Sequence, residues 1–351
     1  MKVIVDNKIP YIKGVIEELG GDTPNEVVYV PGMKFTKEIV RDADALIIRT
    51  RTHCNRGLLE GSKVKFIATA TIGYDHIDTD YCREAGITWT NAPGCNSASV
   101  EQYIHSTLLL LEKEKGFTLK NKCIGVVGVG NVGSKVCKVA LSLSMRVLMN
   151  DLPRADKEGA GQFTDLETIA RECDVITFHT PLHKEGKYKT YHLANTAFFN
   201  SLKKCPVIIN TSRGEITETS ALLSAIEKKQ IQEAVIDVWE NEPDINLELL
   251  EKVFIGTPHI AGYSADGKAN ATRMSLESLC RFFQINPNFE IHPSKPENPV
   301  IKASTEAEAY LQTYNPERDS KALKTHPELF EQLRGDYPLR REKEAYTFQI
   351  I

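Results

Sequence analysis

Between residue 2 and about residue 95, short apolar runs rich in β-branched residues alternate with stretches of helical spacing. KVIVDN, EVVYV, ALIIRT, KFIATAT and ITWTN read as strands, with one helical pattern running to Leu19 and another around Ile39. Strand alternating with helix predicts a parallel sheet joined by crossover helices. Ser97 to about Lys115 reads as one long helix bridging two domains, opened by polar SASVEQ and ended by Gly116. A second alternation follows, with CIGVVG, RVLMND, VITFHT, VIINTS, AVIDVW and VFIGT as strands. Helices are expected through Val139, from Leu166 to Glu172, near Leu202 and through Ile226. These strands are continuous apolar runs, as a parallel sheet covered on both faces requires. The pattern therefore predicts an α/β protein with two doubly wound parallel-sheet domains. TPHIAGYS then leads the chain into a helix from Lys268 to Phe283, back toward the first domain. Pro287, Pro293, Pro296 and Pro299 mark a linker before a charged tail in which Leu, Phe and Tyr recur, Leu339 among them.

Composition narrows the class. The chain has 351 residues, 41% hydrophobic and 26% charged, enough for two or three packed domains. A formal charge of -4 and a pI near 6.2 give no electrostatic reason to expect nucleic acid or an anionic membrane as partner. Asp6 interrupts the N-terminus too early for a signal peptide, and no apolar run approaches the roughly 20 residues that span a bilayer, so a cytoplasmic protein is expected. The eight cysteines are scattered without a C-x-x-C pair, which predicts reduced thiols and no metal site.

Gly128, Gly130 and Gly133 form G-x-G-x-x-G between an apolar strand and a helical pattern, with Asn131 and Val132 inside the motif. That arrangement suits a dinucleotide pyrophosphate at a helix N-terminus. Asp151 ends the next strand, where an acid accepts hydrogen bonds from adenosine ribose hydroxyls and repels a 2′-phosphate, so NAD is expected over NADP.

Oxidising an alcohol by hydride loss needs a base, a cation for a substrate carboxylate, and a group that orients the base. Arg213 in NTSRGE, Glu242 in WENEP and His259 in TPHIAG follow three consecutive strands, at the carboxyl rim where α/β ligands bind. Arginine can grip a carboxylate through two parallel bonds, and histidine titrates near neutral pH. Asp237, inside AVIDVW, is expected to reach the same rim and accept a bond near the nicotinamide. After the strand ALIIRT, Arg49 and Arg51 offer cations for a second anion, which predicts a phosphate at the substrate's far end. Arg340 or Arg341 of a partner's tail is a further candidate for that phosphate.

GVVGVGNVG, NTSRGE, DVWENEP and TPHIAG, in that order, resemble the D-isomer-specific 2-hydroxyacid dehydrogenase family over residues 1 to about 285. The resemblance implies a flavodoxin-like substrate domain (1–95 with 257–285), a Rossmann NAD domain (96–256) and a small C-terminal dimerisation domain (286–351) that makes a homodimer. It implies Arg213 as the carboxylate ligand, His259 as acid/base and Glu242 as its partner. NAPGCNSASVEQY, FHTPLHKEGKYKTYHL, IGTPHIAGYSADGKA and the tail YNPERDSKALKTHPELFEQLRGDYPLRRE narrow the likeness to a branch acting on a small phosphorylated 2-hydroxy acid. That likeness implies substrate contacts from Thr50, Thr71 and Tyr263, and cofactor contacts from Thr180, Thr211, Ser212 and Gly262. The competing readings are a sibling acting on phosphoglycerate, glyoxylate or lactate, and an NAD-sensing corepressor on the same fold. Residues 287–351 lack the strand alternation of a βαββαβ regulatory module, which sets the chain apart from many phosphoglycerate enzymes.

Overall fold

A computed structural model describes residues 1–19, 24–338 and 340–351, so Leu339 lies outside the described residues. The first unit is Met1–Asn96 with Ser264–Lys295. Its strands β1 (Lys2–Asp6), β2 (Glu26–Val30), β3 (Ala45–Ile48), β4 (Phe66–Thr69) and β5 (Thr88–Thr90) lie parallel in the order β2-β1-β3-β4-β5. This is the flavodoxin-like order. Successive side chains leave opposite faces of a strand. Val3, Val5, Ile47 and Phe66 accordingly pack with Leu276 and Leu279 of the helix Ala265–Phe283, whereas Ile4, Leu46, Ile48 and Ile67 form the other core. Both faces being covered, the strands carry no in/out polarity, which is why they appear in the sequence as unbroken apolar runs.

The second unit is Ser97–Tyr263 with Pro296–Ile351. It contains β6 (Cys123–Val127), β7 (Arg146–Asn150), β8 (Val175–Phe178), β9 (Val207–Asn210), β10 (Glu233–Ile236) and β11 (Ile255–Gly256), parallel in the order β11-β10-β9-β8-β6-β7. Beyond β7 the Thr164 amide donates to the Met149 carbonyl at 2.6 Å and the Asn150 side chain donates to the Thr164 carbonyl at 2.8 Å, so a loop contact occupies the outer position that a third strand fills in the full Rossmann order. Strand order reverses between β6 and β8, and the helix Asn131–Ser142 starts from the carboxyl end of β6 beside that reversal. Such a switch point is where open α/β sheets bind ligands.

The division between units falls at Ser264 rather than at 257. The amides of Ile260 and Ala261 donate to the Asp237 carboxylate, and the Ser99 hydroxyl donates to the Ala261 carbonyl, so this segment is tied to the second sheet. Residues 296–351 likewise group with the second unit, ending in a two-stranded parallel sheet of β12 (Val300–Ala303) and β13 (Thr347–Ile350). Apolar side chains of the tail pack within their own chain. Phe330 and Leu333 pack into the core on one face of the second sheet, and Leu311 and Tyr337 against the core on the other. Apolar surface on the same chain lies within reach and is covered first. No disulfide joins the eight cysteines, seven of which are buried.

Candidate active site

The glycine turn is shaped by steric necessity at two of its three glycines. Gly128 has φ +89°, and a Cβ there would sit 2.7 Å from the His179 carbonyl. A Cβ on Gly133 would meet the Gly128 carbonyl oxygen at 2.0 Å. Gly130 has no atom near its Cβ position, so the turn is open on that side, ahead of the helix N-terminus formed by Asn131, Val132 and Gly133. Asp151 accepts from the Val129 amide at 2.8 Å and from the Arg154 amide at 3.0 Å, while Arg154 donates back to the Val129 carbonyl at 2.8 Å. The acid thus ties the glycine loop to the end of β7, and its carboxylate retains lone pairs for ribose hydroxyls.

Other residues converge on the same rim. The Thr180 hydroxyl is buried without a partner, a donor waiting for a ligand. Thr211 bonds His179 Nδ1 at 3.4 Å, and Ser212 donates to Asn210 Oδ1 at 2.9 Å. Burial pushes His179 down to about 3, so it stays neutral and acts as a hydrogen-bonding spacer. Gly262 lies in the turn closed by the Tyr263 amide and the Ile260 carbonyl at 2.8 Å. An open glycine turn at a helix N-terminus, an acid at the next strand end and an orphaned buried hydroxyl together fit NAD.

Arg213 follows β9, Glu242 follows β10 and His259 follows β11. Glu242 Oε2 accepts from His259 Nδ1 at 2.8 Å, which leaves Nε2 as the ring's free acceptor. The other Glu242 oxygen accepts from the Trp239 amide at 2.9 Å. Burial would raise the Glu242 carboxyl, but the His259 hydrogen bond and charge, the Trp239 amide and the Arg334 guanidinium hold it below the usual carboxylate range. His259 sits at φ +57°, uncommon for a residue with a Cβ, with its amide donating to the Asp237 carbonyl at 2.7 Å. Arg213 is half-buried and spends one terminal nitrogen on the Ser212 carbonyl at 2.7 Å.

Asp237 follows β10 on this rim, and its buried carboxylate accepts from Thr257 Oγ1 at 2.7 Å and from the Ile260 and Ala261 amides at 2.8 and 3.0 Å, so it shapes the His259 loop. Burial pushes its pKa up. Arg340 is corrected: it is buried in its own chain, donating to the Ser99 hydroxyl and the Ala261 carbonyl with its guanidinium 4.0 Å from the Tyr314 ring centre. Arg341 offers its carbonyl to Gln102 at 3.2 Å. In the first unit, Arg49 pairs with buried Asp6 at 3.2 Å, Thr50 is exposed, and Thr71 bonds Thr69 at 2.6 Å and the Gly73 carbonyl at 2.9 Å. Sequence reasoning missed Arg334, which reaches Glu242 at 3.5 Å and Tyr263 Oη at 3.2 Å. Only the basic character of LRGDYPLRRE hinted at it.

This fold and this rim define a nicotinamide-dependent dehydrogenase of 2-hydroxy acids. The family model for the D-isomer specific 2-hydroxyacid dehydrogenase NAD binding domain matches residues 99–261. Erythronate-4-phosphate dehydrogenase of Bacteroides fragilis (strain YCH46) is 67% identical over 350 residues, covering 100% of this chain and 99% of that one. The same-named protein of Porphyromonas gingivalis is 40% identical, over 99% and 95% of the two chains. A D-lactate dehydrogenase from Aquifex aeolicus, solved with NAD and lactic acid, matches with TM-score 0.66 and 27% identity over 83% of this chain and 100% of that one. An NAD-bound 3-phosphoglycerate dehydrogenase from Entamoeba histolytica matches with TM-score 0.67 and 27% identity over 84% and 99%. The chain belongs to the erythronate-4-phosphate dehydrogenase family, within the D-isomer specific 2-hydroxyacid dehydrogenases.

Proposed function

We propose that the chain oxidises 4-phospho-D-erythronate at its C2 hydroxyl to 2-oxo-3-hydroxy-4-phosphobutanoate, a step toward pyridoxal 5′-phosphate (vitamin B6). The observation that carries this reading is the 2.8 Å bond between Glu242 and His259 on the rim that also bears Arg213, in a chain matching erythronate-4-phosphate dehydrogenases over its full length. When bound, NAD supplies the hydride acceptor. Gly128, Gly130 and Gly133 with the amides of Asn131 and Val132 hold its pyrophosphate, Asp151 its ribose hydroxyls, and Thr180, Thr211, Ser212 and Gly262 its remaining polar groups. Arg213 grips the substrate carboxylate. His259 Nε2 takes the hydroxyl proton as the hydride leaves C2, and Glu242 stabilises the imidazolium so formed and keeps the ring oriented.

Arg49, Thr50, Thr71 and Tyr263 are assigned to the substrate, with Arg49 and Arg51 toward its phosphate. Of these, Arg51 lines a hollow of about 350 Å³ in the first unit, together with Lys37, Thr52 and His53. Two lost charge-assisted hydrogen bonds cost about 3–6 kcal/mol. Erythronate should therefore show a kcat/KM at least about 10²-fold below that of 4-phosphoerythronate in NADH-formation assays. Equal values would reduce the assignment to a general 2-hydroxyacid dehydrogenase.

The homodimer is assigned to the small C-terminal sheet, where Val300, Ile350 and Ile351 are exposed. Light scattering should give twice the 39.3 kDa chain mass, and Ile350→Asp the single mass. A wild-type monomer at micromolar concentration would dismiss the dimer. No described helix is long and apolar enough to cross a membrane. The proposed location is the cytoplasm, where small phosphorylated acids are metabolised with NAD.

A further inference from the structure

We infer that Arg334, supplied by the C-terminal segment, is a positioning residue of the acid–base pair: it keeps Glu242 ionised and fixes Tyr263 beside it, setting the pH at which His259 can take a proton. The inference rests on the dehydrogenase reading above. Arg334 lies on the helix Phe330–Gly335, anchored by Phe330, whose side chain is buried in the core. Its NH1 is 3.5 Å from Glu242 Oε2, the oxygen that also receives His259 Nδ1, and its Nε donates to Tyr263 Oη at 3.2 Å.

The groups facing the pair come from three elements. The helix Phe330–Gly335 brings Arg334 and Glu331, which stands 3.8 Å from Arg334. The segment after β11 brings Tyr263, and the end of β10 brings Asp237, whose carbonyl holds the His259 amide. Among these described groups Arg334 is the permanent cation. Oxidation starts with His259 neutral. At that stage Arg334 is the permanent cation beside the half-buried Glu242 among the described residues, and a protonated Glu242 would hold the ring's Nδ1–H more weakly than the carboxylate does. Burial works against the Arg334 charge, yet Tyr263, Glu242 and Glu331 outweigh it and keep the guanidinium protonated.

The sign follows from charge. A nearby cation disfavours proton uptake by the pair, so removing it raises the midpoint of uptake, whereas removing the Glu242 anion lowers it. The test compares full-length wild type, Arg334→Met, Arg334→Lys and Glu242→Gln. It uses the pH profile of kcat/KM for oxidation and an NMR titration of ¹⁵N-labelled histidine without ligands.

Arg334→Met should move both midpoints up by about half to one pH unit. Below the midpoint kcat/KM should fall about 3- to 10-fold, converging with wild type at high pH. Arg334→Lys should restore the midpoint, and Glu242→Gln should move it down. Should Arg334→Met not fold by circular dichroism, Arg334→Gln takes its place. A uniform loss of activity at an unmoved midpoint would make Arg334 merely structural and overturn the inference, as would unchanged titrations. A wild type that forms no NADH would instead count against the dehydrogenase reading, while the ligand-free titration would still decide the role of Arg334.

Discussion

His259→Asn should lower kcat by about 10³-fold, within the 10²–10⁴ range that a positioned proton acceptor contributes. The asparagine side chain matches part of the imidazole outline and can still bond Glu242, but it offers no basic nitrogen where Nε2 stands. The substrate hydroxyl must then lose its proton to water as the hydride leaves. NAD affinity should change by less than about twofold, because the glycine turn, Asp151 and Thr180 make no bond through the His259 side chain. Steady-state kinetics with a fluorescence titration of NAD would separate the two effects. A kcat within tenfold of wild type would remove His259 from the proton transfer.

Arg213→Gln should be nearly as damaging, expressed mainly in kcat/KM. The guanidinium presents five donors, of which one nitrogen is committed to the Ser212 carbonyl at 2.7 Å. The remaining fork matches a carboxylate, and two charge-assisted bonds are worth about 3–6 kcal/mol, or about 10²–10⁴ in kcat/KM. Arg213→Lys keeps the charge but loses the parallel geometry, so it should recover only part of that loss. A kcat/KM within fivefold of wild type for Arg213→Gln would place the substrate carboxylate elsewhere.

The parallel sheets were readable because their strands are covered on both faces and so stand out as unbroken apolar runs. Two short helices were not read: Arg56–Leu59 and Leu247–Lys252 span four and six residues and start from Asn55 and Asn246, whose side chains accept from the amides of Leu58 and Leu249. Such turns show little periodicity, and the cap alone marks them. The glycine motif and the order Arg213, Glu242, His259 were legible because each lies immediately after a strand, and strand ends in a parallel sheet share one rim.

By itself, the sequence determined the two doubly wound sheets, the dinucleotide turn and the three rim residues, since all are written in contiguous patterns or at strand ends. Tertiary structure alone decided which distant side chains complete that rim. Arg334 meets Tyr263 across 71 residues, and Arg340 meets Ser99 across 241. Asp237 was visible on its strand, but only the fold shows its carboxylate turned to the amides of residues 260 and 261. The tail's destination was equally hidden, because its apolar residues suit any complementary surface. Local pattern fixes a side chain's face and its place along an element. Which surface that face meets depends on how the whole chain folds back, and no short stretch of sequence encodes it.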